Sequence, residues 1–434
     1  GYGINSLLDF DDPIQIIQHL MIGSEGTLGF ISQVTFRTVH DAPLKATAMI
    51  YFNNLRDVCE AILPLQQCSV SAAELMDRNA LRAVEDQEGM PLELSTLPND
   101  AAALLIDTSA DDVEQLQQQI DEIEERLSVV ETYAPIEFTI DPQQYETFWR
   151  VRNGLFTSAA ASRNLGTACI IEDIAFEKDV LGDALADVKE LLAQSGYSDH
   201  VMWGHLLDGN VHFTIFPDIN KQEGVDRYAQ FMHELTSLVA VKYNGSLKAE
   251  HGTGRNMAPF VEKEWGKEIY GLMQRIKNIF DPSHILNPGV IINEDKEVFI
   301  KNLKRIPIAN PIIDKCIECG FCEMSCPSKD LTMTPRQRIV AYRHLVTMAE
   351  REEQKEKKTI QELAKEISYP LNETCATDSL CSIACPVDID TGVLVKELRW
   401  QNNGKVANKV ATFFANHMES ATAGVRWLLP IPHA

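Results

Sequence analysis

The sequence predicts an α+β protein that continues into an all-α domain, and three observations carry that expectation. From about residue 45 to about residue 295, short runs rich in β-branched and aromatic residues alternate with amphipathic stretches of helical period, in two β-α-β units. Seven of the ten cysteines fall in two tight runs late in the chain. Between those runs the period is helical and nothing reads as strand.

Composition sets the outer bounds. With 434 residues, 45% of them apolar, the chain has material for two or three domains with sizeable cores. Acids outnumber bases 63 to 39, for a net charge of −24, which argues against nucleic acid and anionic membrane surfaces as direct partners. No stretch approaches the ~18 uninterrupted apolar residues of a membrane span, and no basic-then-apolar opening reads as a signal peptide, so the expected location is cytoplasmic. The chain opens on "GYGINSLLDF" without Met and closes on "RWLLPIPHA" without a capping element, and we expect both ends to be cut.

The elements follow in order. "IGSEGTLGFISQVTFRTV", residues 22–39, is a Gly-rich turn followed by an alternating strand, a form that lets backbone N–H groups approach a phosphate. "LKATAMIYF" reads as strand, "LRDVCEAILPL" as helix and "VSAAELM" as strand. "ACIIEDIAF", "VLGDALADVKELLAQSG" and "HVMWGHLLDGNVHFTIFP" repeat the order, which suggests an antiparallel sheet backed by helices. Residues 110–127 are a solvated acidic helix and carry no site. Cys59, Cys68 and Cys169, scattered in apolar surroundings, read as buried packing residues.

One constellation in this region can bind a metal. "GHLLDGNVH" places His205 and His212 seven apart, and "KAEHGTGR" adds Glu250 and His251. On one straight strand a spacing of seven puts the two imidazoles on opposite faces. A shared metal therefore requires "LDGN" to turn the chain back, as Asp-Gly-Asn does well. Two histidines and a carboxylate with open positions form a Lewis-acid site; the alternative is two satisfied core histidines and a surface acid.

The cysteine runs are more specific. "CIECGFCEMSCP", residues 316–327, is C-x2-C-x2-C-x3-C-P, and "CATDSLCSIACP", residues 375–386, matches it with Asp378 in place of one cysteine. Three close thiolates wrap one iron–sulfur cube while the fourth, after the x3 spacer, reaches the other cube. Cys316, Cys319, Cys322 and Cys385 would then hold one cluster, and Cys326, Cys375 and Cys381 the other, with Asp378 at the odd corner. The second cluster is either three-iron, or four-iron with Asp378 or a water as its last ligand. Structural zinc is the alternative, disfavoured because zinc thiolates come in pairs separated by longer loops. "TPRQRIVAYRHLVTMAEREEQKEKKTIQELAKEI" between the runs reads as helix, and "VANKVATFFANHMESATAGVRWLLPIP" beyond them as amphipathic helix.

These motifs carry family resemblances. The cysteine-run arrangement, over about residues 300–400, resembles the iron–sulfur subunits of succinate dehydrogenase, glycolate oxidase and anaerobic glycerol-3-phosphate dehydrogenase. "GSEGTLG" resembles the FAD-binding signature of the vanillyl-alcohol oxidase and para-cresol methylhydroxylase (PCMH) superfamily. That resemblance implies that Gly23, Ser24, Glu25, Gly26, Thr27 and Gly29 line FAD, with Ile31 on the adjoining strand. G-H-x-x-D-G-N-x-H and E-H-G resemble the C-terminal domain of FAD-linked D-2-hydroxyacid dehydrogenases. There they imply His205, His212 and Glu250 as ligands of a divalent ion, zinc by expectation, and His251 as the base for the hydroxyl proton. "FWRVRNGLF" is similar to the family's W-x-x-R segment, which implies Arg152 as the fork for the substrate carboxylate. "FDPSHILNPG" is similar to its closing segment, which implies Asn287 near the flavin ring.

The resemblance as a whole implies four parts. Residues 1–44 are the C-terminal part of a PCMH-type FAD-binding domain, 45–295 a ferredoxin-like α+β cap and substrate domain, 296–400 a helical ferredoxin domain, and 401–434 a helical linker. With "GYGINSLLDFDDP" included, it is most similar to bacterial FAD- and iron–sulfur D-lactate dehydrogenases. The implied reaction oxidises a D-2-hydroxyacid, D-lactate to pyruvate first, with FAD taking the hydride and two clusters passing electrons to a quinone or cytochrome. D-2-hydroxyglutarate or glycolate is the alternative substrate. The former needs a second cation, for which Lys248, Arg255 and Arg163 are the candidates. A pure electron-transfer subunit is the reading of another class. Peripheral association with the inner membrane, through regions outside this chain, is the last expectation.

Overall fold

The computed structural model describes residues 1–85, 90, 92–350 and 356–428. It divides into two units, Gly1–Ile306 and Pro307–Ala434.

The first unit is built on one antiparallel sheet of six strands: β1 Leu44–Phe52, β2 Ala72–Asp77, β3 Ala102–Ala110, β4 Ile170–Ala175, β5 Val201–His205 and β6 Asn210–Ile215, in spatial order β1-β3-β2-β5-β6-β4. Among its described residues are nine α-helices. They are α1 Ser6–Asp9, α2 Pro13–Met21, α3 Leu55–Leu65, α4 Arg78–Arg82, α5 Val113–Leu127, α6 Pro142–Ser162, α7 Leu181–Gln194, α8 Gln222–Ser237 and α9 Val261–Phe280. The starts of α3, α5 and α6 are fixed by Asn54, Asp112 and Asp141, whose side chains each accept a first-turn N–H.

Because strand side chains alternate, the sheet serves two cores. Ala102, Leu104 and Ile106 of β3 face one way with Leu75 and Met202, under α3, α5, α7 and α8. Ala103 and Leu105 face the other way with Met76, Val201 and Trp203, under α4 and α6. Helix α6 presents Phe148, Val151, Leu155 and Ala159 to that second core, a stripe at helical spacing. This second face carries the histidines.

The antiparallel sheet expected from the sequence is present, with differences at particular places. Strand β3 was not anticipated, although it lies between β1 and β2 and opens on the apolar run Ala102–Ile106. Residues 29–43 form no strand, contrary to expectation; none of the six strands pairs with them, and Phe30, Phe36 and Val39 are 82–91% exposed. An extended segment without a ladder partner is not a strand. Cys59 is buried, whereas Cys68 and Cys169 are part-exposed.

The described part of the second unit contains helices and loops alone: α10 Pro335–Glu350, α11 Glu356–Ser368, α12 Leu380–Ile383, α13 Thr391–Asn402, α14 Lys405–Asn416 and α15 Met418–Leu428. The expected helix between the cysteine runs is found as α10 and α11; residues 351–355 of that stretch, like 429–434 of the expected C-terminal helix, lie outside the described residues. Ile313, Ile339, Ile389 and Leu394 form a small core, against which Cys316 and Cys385 pack. Among the described residues no helix is long and apolar enough to cross a membrane.

Candidate metal and redox centres

The sheet register assembles the metal-site candidate. Strand β5 ends at His205, a single turn of 3-10 helix covers Leu206–Asp208, and β6 returns from Asn210. Gly209 makes the reversal at φ +66°, where a Cβ would lie 2.1 Å from the Phe176 carbonyl oxygen, so no other residue fits. In the ladder Glu74 of β2 stands opposite His205 and Asp173 of β4 opposite His212. A carboxylate therefore flanks each imidazole.

The third candidate ligand comes from the loop before α9. Glu250 Oε1 lies 3.1 Å from His205 Nε2 and 2.9 Å from His212 Nε2. Ligand atoms of these three residues lie within 4.8 Å of one another. Across the ring, His205 Nδ1 lies 2.8 Å from Glu74 Oε1, and His212 Nδ1 lies 3.1 Å from Asp173 Oδ1, close but not aligned for a hydrogen bond. Two Nε2 atoms converging on one carboxylate, with His205 Nδ1 held by Glu74 and Asp173 beside His212 Nδ1, is a donor set and outer support that suits a divalent ion. The residues fit such an ion.

Asp173 and Glu74 organise this site, and neither was anticipated. Asp173 is fully buried; its Oδ2 accepts the N–H groups of Ala249, Glu250 and His251 at 2.9, 2.9 and 2.8 Å, and its Oδ1 accepts Asn210 Nδ2 at 2.7 Å. Burial opposes its charge, but His212 and these donors outweigh burial and hold the carboxyl below the usual carboxylate range. Glu74 binds His205 and also accepts Arg152 Nε at 2.8 Å, and its hydrogen bond is the main cause of the raised His205 pKa. The sequence did hold a signal: an acid in apolar "AAELM" and a pair of acids in "IIEDIAF" must find partners once buried.

His251 stacks on His212 with ring centroids 4.5 Å apart and planes 6° from parallel. Burial pulls its pKa below the ordinary histidine range, against the opposing charge of Asp173. The ring is thus neutral near pH 7 and can accept a proton. Arg152 reaches the site from α6, its guanidinium 3.4 Å from His205 Nδ1. Lys248 is bound to buried Glu172 at 3.0 Å, and Arg163 donates to the carbonyls of Ala160 and Thr167, so both are committed elsewhere.

The Gly-rich segment forms the expected tight turn, with Gly23 at φ +72° and Gly26 at +71°; a Cβ on either would meet nothing within 4 Å. Both glycines thus border open space in a conformation that residues with side chains rarely adopt, which fits a ligand laid against the backbone. The turn is held from within. Ser24 Oγ donates to Met21 O, Thr27 Oγ1 donates to Ser24 O, and Gly29 follows at its exit. Glu25 turns toward the metal-site loop, its two oxygens accepting Thr253 N–H and Gly254 N–H at 2.7 Å each. Asn287 Nδ2 donates to Glu25 O at 2.6 Å, and buried Lys277 donates to Thr27 O, Leu286 O and Asp281.

In the second unit Cys316, Cys319 and Cys322 of the first run and Cys385 of the second line one cavity, the set the exchange of fourth cysteines demands. Burial, with Cys316, Cys385 and Cys381 adding to it, pushes the Cys322 thiol up to about 12. Thiols crowded this way need a cationic centre to become thiolates, which fits iron. Of the other set, Cys326 lies 3.1 Å from Ser328 Oγ, the carbonyl of Cys375 accepts Arg399 Nη2 at 2.9 Å, and Cys381 is buried. Asp378 is exposed, with Oδ1 accepting Leu380 N–H at 3.2 Å.

Comparison with known proteins agrees in outline. Residues 312–389 match the 4Fe-4S dicluster domain. A glycolate oxidase subunit GlcD of Bacillus subtilis is 25% identical over 281 residues, covering 64% of this chain and 57% of that protein. A D-lactate dehydrogenase of Anaerostipes hadrus is 28% identical, covering 63% and 57%. A probable mitochondrial D-2-hydroxyglutarate dehydrogenase of Oryza sativa subsp. indica is 30% identical, covering 64% and 48%. The chain thus spans about half the length of the curated relatives it matches. Among solved structures, 4-ethylphenol oxidase from Gulosibacter chungangensis aligns with TM-score 0.43 at 16% identity, over 59% of this chain and 55% of that one. Residues 42–291, more than half of the chain, match the model described as "FAD linked oxidases, C-terminal domain", and on that match the chain belongs to the FAD linked oxidases.

Proposed function

We propose that this chain belongs to a dehydrogenase that oxidises a D-2-hydroxyacid, D-lactate to pyruvate first, and sends the electrons through two iron–sulfur clusters to a quinone or cytochrome. One observation carries the reading: His205, His212 and Glu250 converge while Glu74 and Asp173 brace the far side of each imidazole. When bound, a divalent ion (zinc by our reading) supplies a Lewis acid for the substrate hydroxyl, FAD a two-electron acceptor, and the clusters one-electron exits.

The protein's own residues do the rest. His205, His212 and Glu250 hold the ion. His251, neutral and beside His212, takes the hydroxyl proton, and Arg152, with one edge on Glu74, turns its remaining N–H groups to the substrate carboxylate. Gly23, Ser24, Glu25, Gly26, Thr27 and Gly29, with Asn287, form the chain's side of the flavin site. The second cluster is either three-iron, or four-iron with Asp378 or a water as its last ligand. Peripheral membrane association belongs to regions beyond this chain.

D-2-hydroxyglutarate is the second reading. Its distal carboxylate needs a cation, and with Lys248 and Arg163 committed, exposed Arg255, on Pro288 O at 3.3 Å, is the remaining one of the three. An electron-transfer subunit has no use for the braced histidines. The test is dye reduction by the full-length, cofactor-loaded protein with D-lactate, L-lactate, D-2-hydroxyglutarate and glycolate. D-lactate should give the highest kcat/KM, and His251→Ala should lower kcat by about 10²–10⁴-fold. Oxidation of none of the four would overturn the proposal.

A further inference from the structure

The helical unit sets three arginines around its first cysteine run, two of them buried, and one of the buried pair lacks an acid. Arg343 Nη1 lies 3.1 Å from Glu318 Oε1, and Arg336 Nη2 lies 3.1 Å from Glu323 Oε2. Arg338, one turn into α10, is 1% exposed, and among the described residues no carboxylate lies within ion-pair distance of it. Its Nε donates to Leu371 O at 3.1 Å, and its Nη2 to Ser328 Oγ at 2.9 Å and Thr374 Oγ1 at 3.1 Å. Its Nη1 points to Cys326 Sγ at 3.8 Å.

A guanidinium taken out of water without a counter-charge is costly, because neutral oxygens return only part of its hydration. Of the four partners, the sulfur alone can carry negative charge, and it does so once it ligates iron. The same side chain holds Leu371 and Thr374, which lead into Cys375. It thus sits between Cys326 and the segment leading to Cys375, two of the three cysteines of the second set and one from each run. Arg399 adds to this by donating to the carbonyls of Asn372 and Cys375.

We propose that Arg338 is the built-in counter-charge of the cluster held through Cys326, Cys375 and Cys381, and that it raises that cluster's reduction potential over what the thiolates alone would give. A cluster becomes more negative when it accepts an electron, so a fixed cation in an apolar surrounding stabilises the reduced form more than the oxidised one. An N–H donor to a ligating sulfur acts in the same direction. Arg338 is in this sense a tuning residue; it touches a ligand and takes no part in the substrate chemistry. The inference rests on reading the cysteine runs as cluster ligands.

The experiment is a mediated anaerobic redox titration of the holoprotein followed by electron paramagnetic resonance, with iron and sulfide analysis, on the parent, Arg338→Met and Arg338→Lys. In the Met variant, with iron retained, the reduced-to-oxidised ratio of one cluster at fixed poise should fall about tenfold, equivalent to about 59 mV for one electron, while the other cluster is unmoved. The Lys variant should fall less. Unchanged ratios for both clusters at full iron content would overturn the proposal. If the Met variant loses iron, the Lys variant decides: full iron with a shift confined to one cluster supports the counter-charge, and loss of iron there too overturns it in favour of a scaffold role. A parent protein without iron would instead overturn the reading of the cysteine runs.

Discussion

Asp173→Asn is the sharpest test of how the metal-site loop is held. One carboxylate oxygen accepts three N–H groups, from Ala249, Glu250 and His251, and the other accepts Asn210 Nδ2, all within 2.9 Å. Hydrogen bonds to a charged partner contribute about 1.5–3 kcal/mol each against about 1 for neutral ones, so the uncharged amide forfeits roughly 3 kcal/mol over the three N–H groups. With its oxygen turned to those donors, the amide nitrogen must face Asn210 Nδ2, a donor against a donor, at about 1 kcal/mol or more. The expected loss is about 4 kcal/mol, measurable as a lower denaturant midpoint in equilibrium unfolding of the first unit. Glu250 and His251 lose their backbone anchor at the same time, so on the proposed metal reading affinity for added zinc, by competitive chelator titration, should fall about 10–100-fold. A variant that lost under about 1 kcal/mol and bound zinc within about twofold of the parent would refute the reasoning.

Three further outcomes follow from the same contacts. Glu25→Gln strands one of the two N–H groups of Thr253 and Gly254, and should destabilise by about 2 kcal/mol in denaturant titration and lower FAD retention on gel filtration. Burial opposes the charge of Asp281, but Lys277 and the N–H groups of Leu286 and Ile285 outweigh it and lower its pKa to about 2. A depressed carboxyl stabilises the fold fully above its unfolded value of about 4 and loses that contribution as pH falls toward 2. Lys277→Met should therefore flatten the acid limb of the stability profile, as read from unfolding midpoints at stepped pH. Cys385→Ser and Cys322→Ser should abolish the same paramagnetic signal, and the double variant should lose no more iron than either; two different lost signals would refute the exchange of fourth cysteines.

Legibility of the sequence followed the range of the interaction. The cysteine runs and the "LDGN" reversal are local, and the structure places Cys316, Cys319, Cys322 and Cys385 around one cavity and His205 beside His212. Glu74 and Asp173 were invisible as site residues because what makes them so is strand register: Glu74 meets His205 across 131 positions, and Asp173 meets the Glu250 N–H across 77. Nothing in periodicity pairs β2 with β5, since the intervening β3 pairs on the other side of β2. Residues 29–43 failed for the converse reason. Their alternation predicts a strand, but a strand exists through its partner, and none of the described strands lies beside them.

Glu25 draws the two halves of the chemistry together. Its neighbours Gly23 and Gly26 present backbone to open space, where the proposed reading puts the flavin, while its carboxylate grips Thr253 and Gly254, two and three residues beyond His251. Its own carbonyl accepts Asn287, and Lys277 fastens the carbonyls of Thr27 and Leu286 on either side. A hydride transfer depends on the angle and distance between the carbon that gives it and the acceptor, and errors of about 1 Å cost about 10²-fold. Three loops distant in sequence are here fixed to one another by the side chains of Glu25, Lys277 and Asn287. On the proposed reading, the Glu25 carboxylate therefore sets how the loop of Glu250 and His251 stands relative to the flavin-side backbone of the glycine-rich turn and Asn287.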